Sequence, residues 1–194
     1  MLAKLSIVDF ANEVASSKSV MPAGGCVTAL SGLMGVCLIE MAIRSSYGYA
    51  ADKEFFDKTQ VQMAYLHSQL LNYIDEDAEA YNRVIAACKL KRTTLSEEEQ
   101  RRAVIQSAAL EATEVPLQIG NACVVALEVG TRLLTMVKPS VIGDLKVGLL
   151  VSKAGIEGAL TASRLNLSLV NENSKCVLES RIDELQQKLD NLVD

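Results

Sequence analysis

Apolar residues recur at steps of three and four along most of the chain, the spacing that lines one face of an α-helix. The longest such run is Phe56, Met63, Leu66, Leu70, Tyr73, Tyr81, Val84 and Cys88, with Asp77 on the same stripe between Tyr73 and Tyr81. Between Gly48 and Pro116 there is neither glycine nor proline, which favours helix over strands and turns. The pattern predicts a helix from about 52 to 90, a loop over 91–95, and a new helix with Ser96 and Glu99 as its capping box. Upstream, Ser6 and Asp9 open a short helix to about Ser17. The turn Pro22-Ala23-Gly24-Gly25 launches another to about Arg44, with Glu40 and Arg44 at i,i+4. Pro116 is expected to kink or divide its helix, which continues to about Val137 before Pro139 stops it. Asp144 is expected to cap a helix running to about Val170. Leu178, Ile182, Leu185, Leu189 and Leu192 form a final stripe, able to close a bundle or pair with a second subunit. The expectation is one all-α domain over residues 1–194, a bundle of six to seven helices around a long buried central helix.

Composition agrees with that picture. The chain has 194 residues, 49% of them hydrophobic, but aromatics are only 4% and tryptophan is absent. The core must therefore come from Ala, Leu, Val, Ile and Met, which suit close helix packing. A net charge of −5 without a basic tract argues against a nucleic-acid partner. Five cysteines without a CxxC pair read as reduced core thiols of a cytoplasmic protein. Lys4, Asp9 and Glu13 interrupt the first apolar positions, so no signal peptide is expected. Ala23 to Ile39 carries no charge, but it is short for a span and rich in glycine. It is expected to be a buried helix, with no membrane partner.

Candidate chemistry begins where the pattern breaks. A carboxylate on an apolar stripe costs several kcal/mol to bury unless it is paired, hydrogen-bonded or protonated. Asp77 is thus either a general acid or base with a raised pKa, or a member of a structural ion pair or helix-to-helix hydrogen bond. Its neighbours Asp75 and Glu76 fall off the stripe and read as solvated. Gly24 and Gly25 either bring a ligand to the amides of a helix N-terminus or simply permit a turn. Gly143-Asp144, Gly148, Ser152, Gly155, Ala159 and Asn166 place small residues along one face for close packing, with Asn166 in a packed or ligand-lined interior. His67 is the only histidine and reads as a boundary residue. With scattered cysteines beside it, no metal site is expected, and neither a nucleophile elbow nor a Walker A motif is present.

Three segments also carry a resemblance. They are Leu70 through Asn82, containing Asp77-Ala78-Glu79-Ala80-Tyr81; Arg101-Arg102 with Val115-Pro116-Leu117; and Asp144-Leu145 with Gly155, Gly158 and Asn166-Leu167. In this order they resemble the formiminotetrahydrofolate cyclodeaminase family, which includes bacterial methenyltetrahydrofolate cyclohydrolases. The resemblance implies an all-helical homodimer in the cytoplasm. Its substrate would be a tetrahydrofolate derivative, converted from 5-formiminotetrahydrofolate to 5,10-methenyltetrahydrofolate with release of ammonia, as in histidine degradation. It implies no metal, and a separate formiminotransferase as a partner. Asp77 falls on the family's proton-transfer carboxylate, with Asp144 as a second catalytic group. Pro22, Gly24, Gly25, Cys26, Tyr81 and Asn166 fall on the substrate-binding positions.

The chain departs from the family's usual residues in four places. Pro22-Ala23-Gly24-Gly25-Cys26 stands for Pro-x-Gly-Gly-Gly-Ser, Gly143 for Ser, Ala162 for Asn, and Gly48-Tyr49 for Gly-Lys. Two alternatives follow: a methenyltetrahydrofolate cyclohydrolase, or a non-catalytic helical dimer that keeps the fold without turnover.

Overall fold

The computed structural model describes residues 1–18 and 20–193. Six α-helices follow one another: α1 (Ile7–Ala15), α2 (Gly24–Ser46), α3 (Lys53–Cys88), α4 (Leu95–Leu133), α5 (Ile142–Asn166) and α6 (Glu172–Val193). Short 3-10 turns at Leu2–Lys4, Pro139–Val141 and Leu167–Leu169 join or precede them, and there is no strand among the described residues.

The apolar helix α2 is the axis of the molecule and packs against α3, α4 and α5. It is long and apolar enough to cross a membrane by composition, yet most of it is buried inside the fold. Its glycines explain how three neighbours approach so closely. At Gly32 a Cβ would lie 2.4 Å from the Cys123 sulfur of α4, and at Gly155 of α5 a Cβ would lie 2.8 Å from the same atom. The small-residue face of α5 does the packing expected of it: Gly148, Ser152, Gly155 and Ala159 are all buried. Helix α6 covers α4 and α5 with Leu178, Ile182, Leu185 and Leu189, while Leu192 is only half-buried.

Helix ends show which local signal wins. Ser6 caps α1 by accepting from the Asp9 amide, and Asp52 caps α3 by accepting from Phe55. The capping box of α4 is Thr94 with Glu97, two residues before the Ser96–Glu99 pair that the sequence suggested. The earlier pair wins because Glu97 also accepts from the backbone amide and hydroxyl of Thr93. Helix α5 starts after Val141 with no side-chain cap, so Asp144 sits in its first turn and is exposed rather than capping it. The core thiols are Cys26 and Cys123; Cys88 and Cys176 lie at the surface, against the expectation for all five.

Pro116 neither divides nor ends its helix: α4 runs unbroken from Leu95 to Leu133. A proline inside a helix leaves the carbonyl four residues before it without a donor. Here that carbonyl belongs to Ala112, and the Asn166 side-chain amide donates to it at 2.6 Å. The hydrogen bond lost within α4 is replaced from the end of α5.

Candidate functional site

Helices α2 and α3 run antiparallel, so the start of α2 meets the second half of α3. Gly25 faces Asp77 there, and Gly32 faces Leu70 one step down the seam. The buried stripe of α3 passes through Leu70, Ile74, Ala78 and Val84. Tyr73 and Asp77 lie on its flank half-buried, and Tyr81 and Cys88 are exposed, so the stripe expected from the sequence is out of phase in this half. That offset turns Asp77 away from the core and into a cavity of about 150 Å³. The cavity is walled by Met21, Ala23, Gly24 and Gly25 before and at the start of α2, Tyr81 of α3, Ala112 of α4, and Ala162, Leu165 and Asn166 of α5.

Asp77 occupies the N-terminus of α2. The Cys26 thiol donates to its Oδ2 at 3.3 Å, and the Cys26 backbone N–H donates to the same carboxylate. The first amides of a helix have no intrahelical acceptor, and the helix dipole favours an anion there. Asp77 is thus the anion this terminus receives. A Cβ on residue 25 would come 2.1 Å from Asp77 Oδ1, so only glycine lets the carboxylate lie this close. At Gly24 a Cβ would meet nothing within 4 Å, so this residue borders open space on its Cβ side.

Burial pushes the Asp77 carboxyl above the ordinary aspartate range, and the two bonds from Cys26 only partly oppose this. The Cys26 thiol is pushed up to about 12, first by burial and then by the charge of Asp77, so it remains a donor at neutral pH. No arginine, lysine or histidine contributes to the shift at Asp77. A carboxyl held by neutral donors gives up and takes back a proton more readily at raised pH than an ion-paired one. Of the expected alternatives, the helix-to-helix hydrogen bond is present, from Cys26 of α2 to Asp77 of α3, and a structural ion pair is not seen among the described residues.

The structure gathers Gly24, Gly25, Cys26, Asp77, Tyr81 and Asn166 around one cavity, with Pro22 buried beside it on a cis Met21–Pro22 peptide. Asp144 is not among them: it lies 22 residues from Asn166 on α5, about 33 Å along the helix axis. It belongs to the opposite end of the same chain and takes no part in this cavity. Of the positions that depart from the family's usual residues, Ala23, Cys26 and Ala162 border the site or touch Asp77, whereas Gly143 and Gly48 are exposed. Sequence reasoning missed Met21, Ala112 and Leu165. The signal for Ala112 was present, because it stands four residues before the internal proline. Asp75 is a further correction: it is largely buried and accepts from the Leu2 amide rather than facing solvent.

Other concavities lack this chemistry. A groove of about 300 Å³ between α3 and α4 is lined by Arg83 and Glu111, which neutralise each other at 2.7 Å. Among the described residues, one set of three donors is close enough to share a cation, and it lies farther along the α2–α3 seam.

A helical bundle with a largely buried carboxyl at a helix N-terminus, facing a small cavity, has the form of a domain for acid–base work on a bound small molecule. Residues 6–186 match the family model described as formiminotransferase-cyclodeaminase, and the chain belongs to that family. A methenyltetrahydrofolate cyclohydrolase from Methylorubrum extorquens is 29% identical over 188 residues, spanning 93% of this chain and 87% of that protein. The formimidoyltransferase-cyclodeaminase of Rattus norvegicus is 27% identical over 94% of this chain, but the match spans only 34% of that longer protein. The solved structure of formiminotetrahydrofolate cyclodeaminase from Thermotoga maritima superposes with a TM-score of 0.85 at 19% identity, covering 99% of this chain and 93% of that one. That likeness establishes the all-α fold.

Proposed function

We propose that this chain is a folate one-carbon enzyme that converts 5-formiminotetrahydrofolate to 5,10-methenyltetrahydrofolate and ammonia. The observation that carries the reading is Asp77, a carboxyl with raised affinity for its proton, held by Cys26 at the mouth of α2 and opposite Asn166. In the reaction, N10 of the substrate attacks the formimino carbon of the same molecule. The C–N bond to the formimino nitrogen breaks, and that nitrogen leaves as ammonia. The protein's part is to hold the substrate folded for attack and to protonate the departing nitrogen. Asp77 supplies that proton and regains one from N10, which loses its hydrogen on attack; the reverse reaction runs the same transfers backwards. Asn166 has its amide nitrogen committed to Ala112, because a carbonyl only accepts; its oxygen is the end that meets a ligand N–H. Gly24 lines the cavity at the start of α2.

A cavity of about 150 Å³ is smaller than a typical ligand site. It takes the reacting bridge, and the rest of the folate extends past the exposed rim at Tyr81 and Leu165. The chain aligns with about a third of the bifunctional relative, so we assign delivery of the formimino group to a separate formiminotransferase. On this reading the chain acts in histidine degradation. We also propose a homodimer through α2 and α5. Val27 and Met34 are partly exposed at a seven-residue spacing, and the Ser31 hydroxyl between them donates to the Val151 carbonyl, bringing exposed Val147 and Leu150 alongside. A monomer in light scattering at micromolar concentration would overturn the dimer.

The similarity to a stand-alone cyclohydrolase of nearly the same extent supports a second reaction at the same groups, with water attacking the methenyl carbon. A spectrophotometric assay for methenyltetrahydrofolate decides between them. Formation from 5-formiminotetrahydrofolate supports the deaminase, and consumption faster than the spontaneous rate supports the cyclohydrolase. Neither activity in the folded protein would leave the non-catalytic alternative.

A further inference from the structure

About three turns along α2 from Cys26, the same seam brings together a thiol, a carboxylate and an imidazole. Cys37 and Glu40 stand three apart on one face of α2, and His67 reaches them from α3. His67 Nδ1 lies 3.2 Å from Glu40 Oε2 and 3.8 Å from Cys37 Sγ, and the three ligand atoms all lie within 4.8 Å of one another. We propose that Cys37, Glu40 and His67 form a binding site for a zinc-class divalent cation that ties α2 to α3.

The spacing fits such an ion. Metal bonds of about 2.3 Å to sulfur and about 2.0–2.1 Å to nitrogen or oxygen, at tetrahedral angles, set ligand-to-ligand edges of about 3.3–3.6 Å. The two measured edges bracket that range, and side-chain rotation adjusts the remainder. One sulfur, one nitrogen and one oxygen donor favour zinc or its first-row neighbours over magnesium or calcium, which prefer all-oxygen sites. The Glu40 side chain is only 8% exposed, whereas His67 is 39% exposed, so the site has a buried anion and an open edge for entry. Arg44 approaches the other carboxylate oxygen at 3.6 Å, which leaves Oε2 for the ion and fixes the carboxylate as a one-oxygen ligand. Its positive charge also weakens cation binding, so the affinity falls below that of an all-anionic site. Burial and the charge of Glu40 hold the Cys37 thiol above its ordinary range, so loading exchanges the thiol proton for the metal and releases one proton. Three protein ligands leave a fourth position for water. The site lies about 15 Å from Asp77 along the helices, which makes it a cross-brace separate from the proton-transfer site.

The test uses the full chain with the surface thiols removed (Cys88→Ser and Cys176→Ser), titrated metal-free with cobalt(II) and then zinc(II). The expected result is one cobalt per chain with a thiolate-to-cobalt charge-transfer band. Cys37→Ser abolishes that band, and His67→Gln weakens binding at least tenfold. Zinc at a hundredfold excess over its Kd raises the unfolding midpoint by about 5–10 °C in the parent and not in the variants. Circular dichroism of each metal-free variant establishes that it is folded. His67 is partly exposed, so its variant decides the matter if Cys37→Ser does not fold. A parent without a thiolate band, or a band that survives both substitutions, overturns the site.

Discussion

Two carboxylates lie on the α2–α3 seam several helical turns apart, and they have opposite company. Asp77 projects from α3 to the N-terminus of α2 and is held by a thiol and a backbone amide, with no cation beside it. Glu40 projects from α2 toward α3 and is met by Arg44 on one oxygen and His67 on the other. The first is held by neutral donors only. The second is met by a guanidinium and an imidazole. Burial alone therefore does not mark a proton-transfer group; the absence of a compensating cation does.

The comparison is broken most directly by changing both carboxylates to amides. Asp77→Asn should lower turnover of the folate substrate at least about a hundredfold, since a positioned acid contributes that much or more. The same variant should be more stable than the parent at pH 8 and equal to it in acid. Because the native carboxyl binds its proton more tightly than the unfolded one, its favourable contribution is complete below the ordinary carboxylate range. That contribution is lost as pH rises through the raised value, and the amide escapes the loss. Thermal unfolding across that pH range checks the sign, and a less stable Asp77→Asn protein at pH 8 would contradict the account of Asp77.

A slightly smaller effect is expected at Asn166. Its replacement by leucine leaves the Ala112 carbonyl without a donor and should cost about 1–3 kcal/mol. Pro116→Ala in the same chain restores a backbone donor and should recover most of that, which a double-mutant cycle in urea measures. Glu40→Gln should be destabilising by about 1–2 kcal/mol, opposite in sign to Asp77→Asn at pH 8, with solvent at Arg44 and His67 limiting the loss.

The smallest effect belongs to a third carboxylate, Glu114, which Arg181 of α6 grips through two bonds of 2.5 and 2.7 Å. Both side chains are more than a third exposed, so Arg181→Ala should cost under about 1 kcal/mol and less in high salt. Arg181 holds the Glu114 carboxyl below its ordinary range. This contribution is therefore present above that range and disappears as pH falls through the lowered value.

Most of the fold was legible because its signals are local. Helix starts at Ser6 and Asp52 and the small-residue face of α5 need only neighbouring residues to read. The phase of α3 was legible only in part past Leu70: Val84 is buried as expected, whereas Tyr81 and Cys88 are exposed. Aromatic and sulfur-bearing residues at 73, 81 and 88 outweighed Ile74 and Ala78 in the pattern, yet the latter are buried in the core. Asp77 was thus picked out for being on the stripe, and it matters for being beside it. The placement of Asp144 failed for a different reason. It came from the resemblance alone, whereas the helix already expected from Asp144 to about Val170 puts Asp144 at the end far from Asn166. The Cys37–Glu40–His67 cluster was hidden because its members come from two helices and carry no motif.

The bond from Asn166 to Ala112 makes two distant positions a single heritable unit. A lineage that replaces Pro116 gives the Ala112 carbonyl its own donor back and frees residue 166 to drift. A lineage that loses Asn166 first inherits an unpaired carbonyl facing the cavity. Substitutions at 116 and 166 should therefore appear together, or with 116 leading, when descendants of this chain are compared.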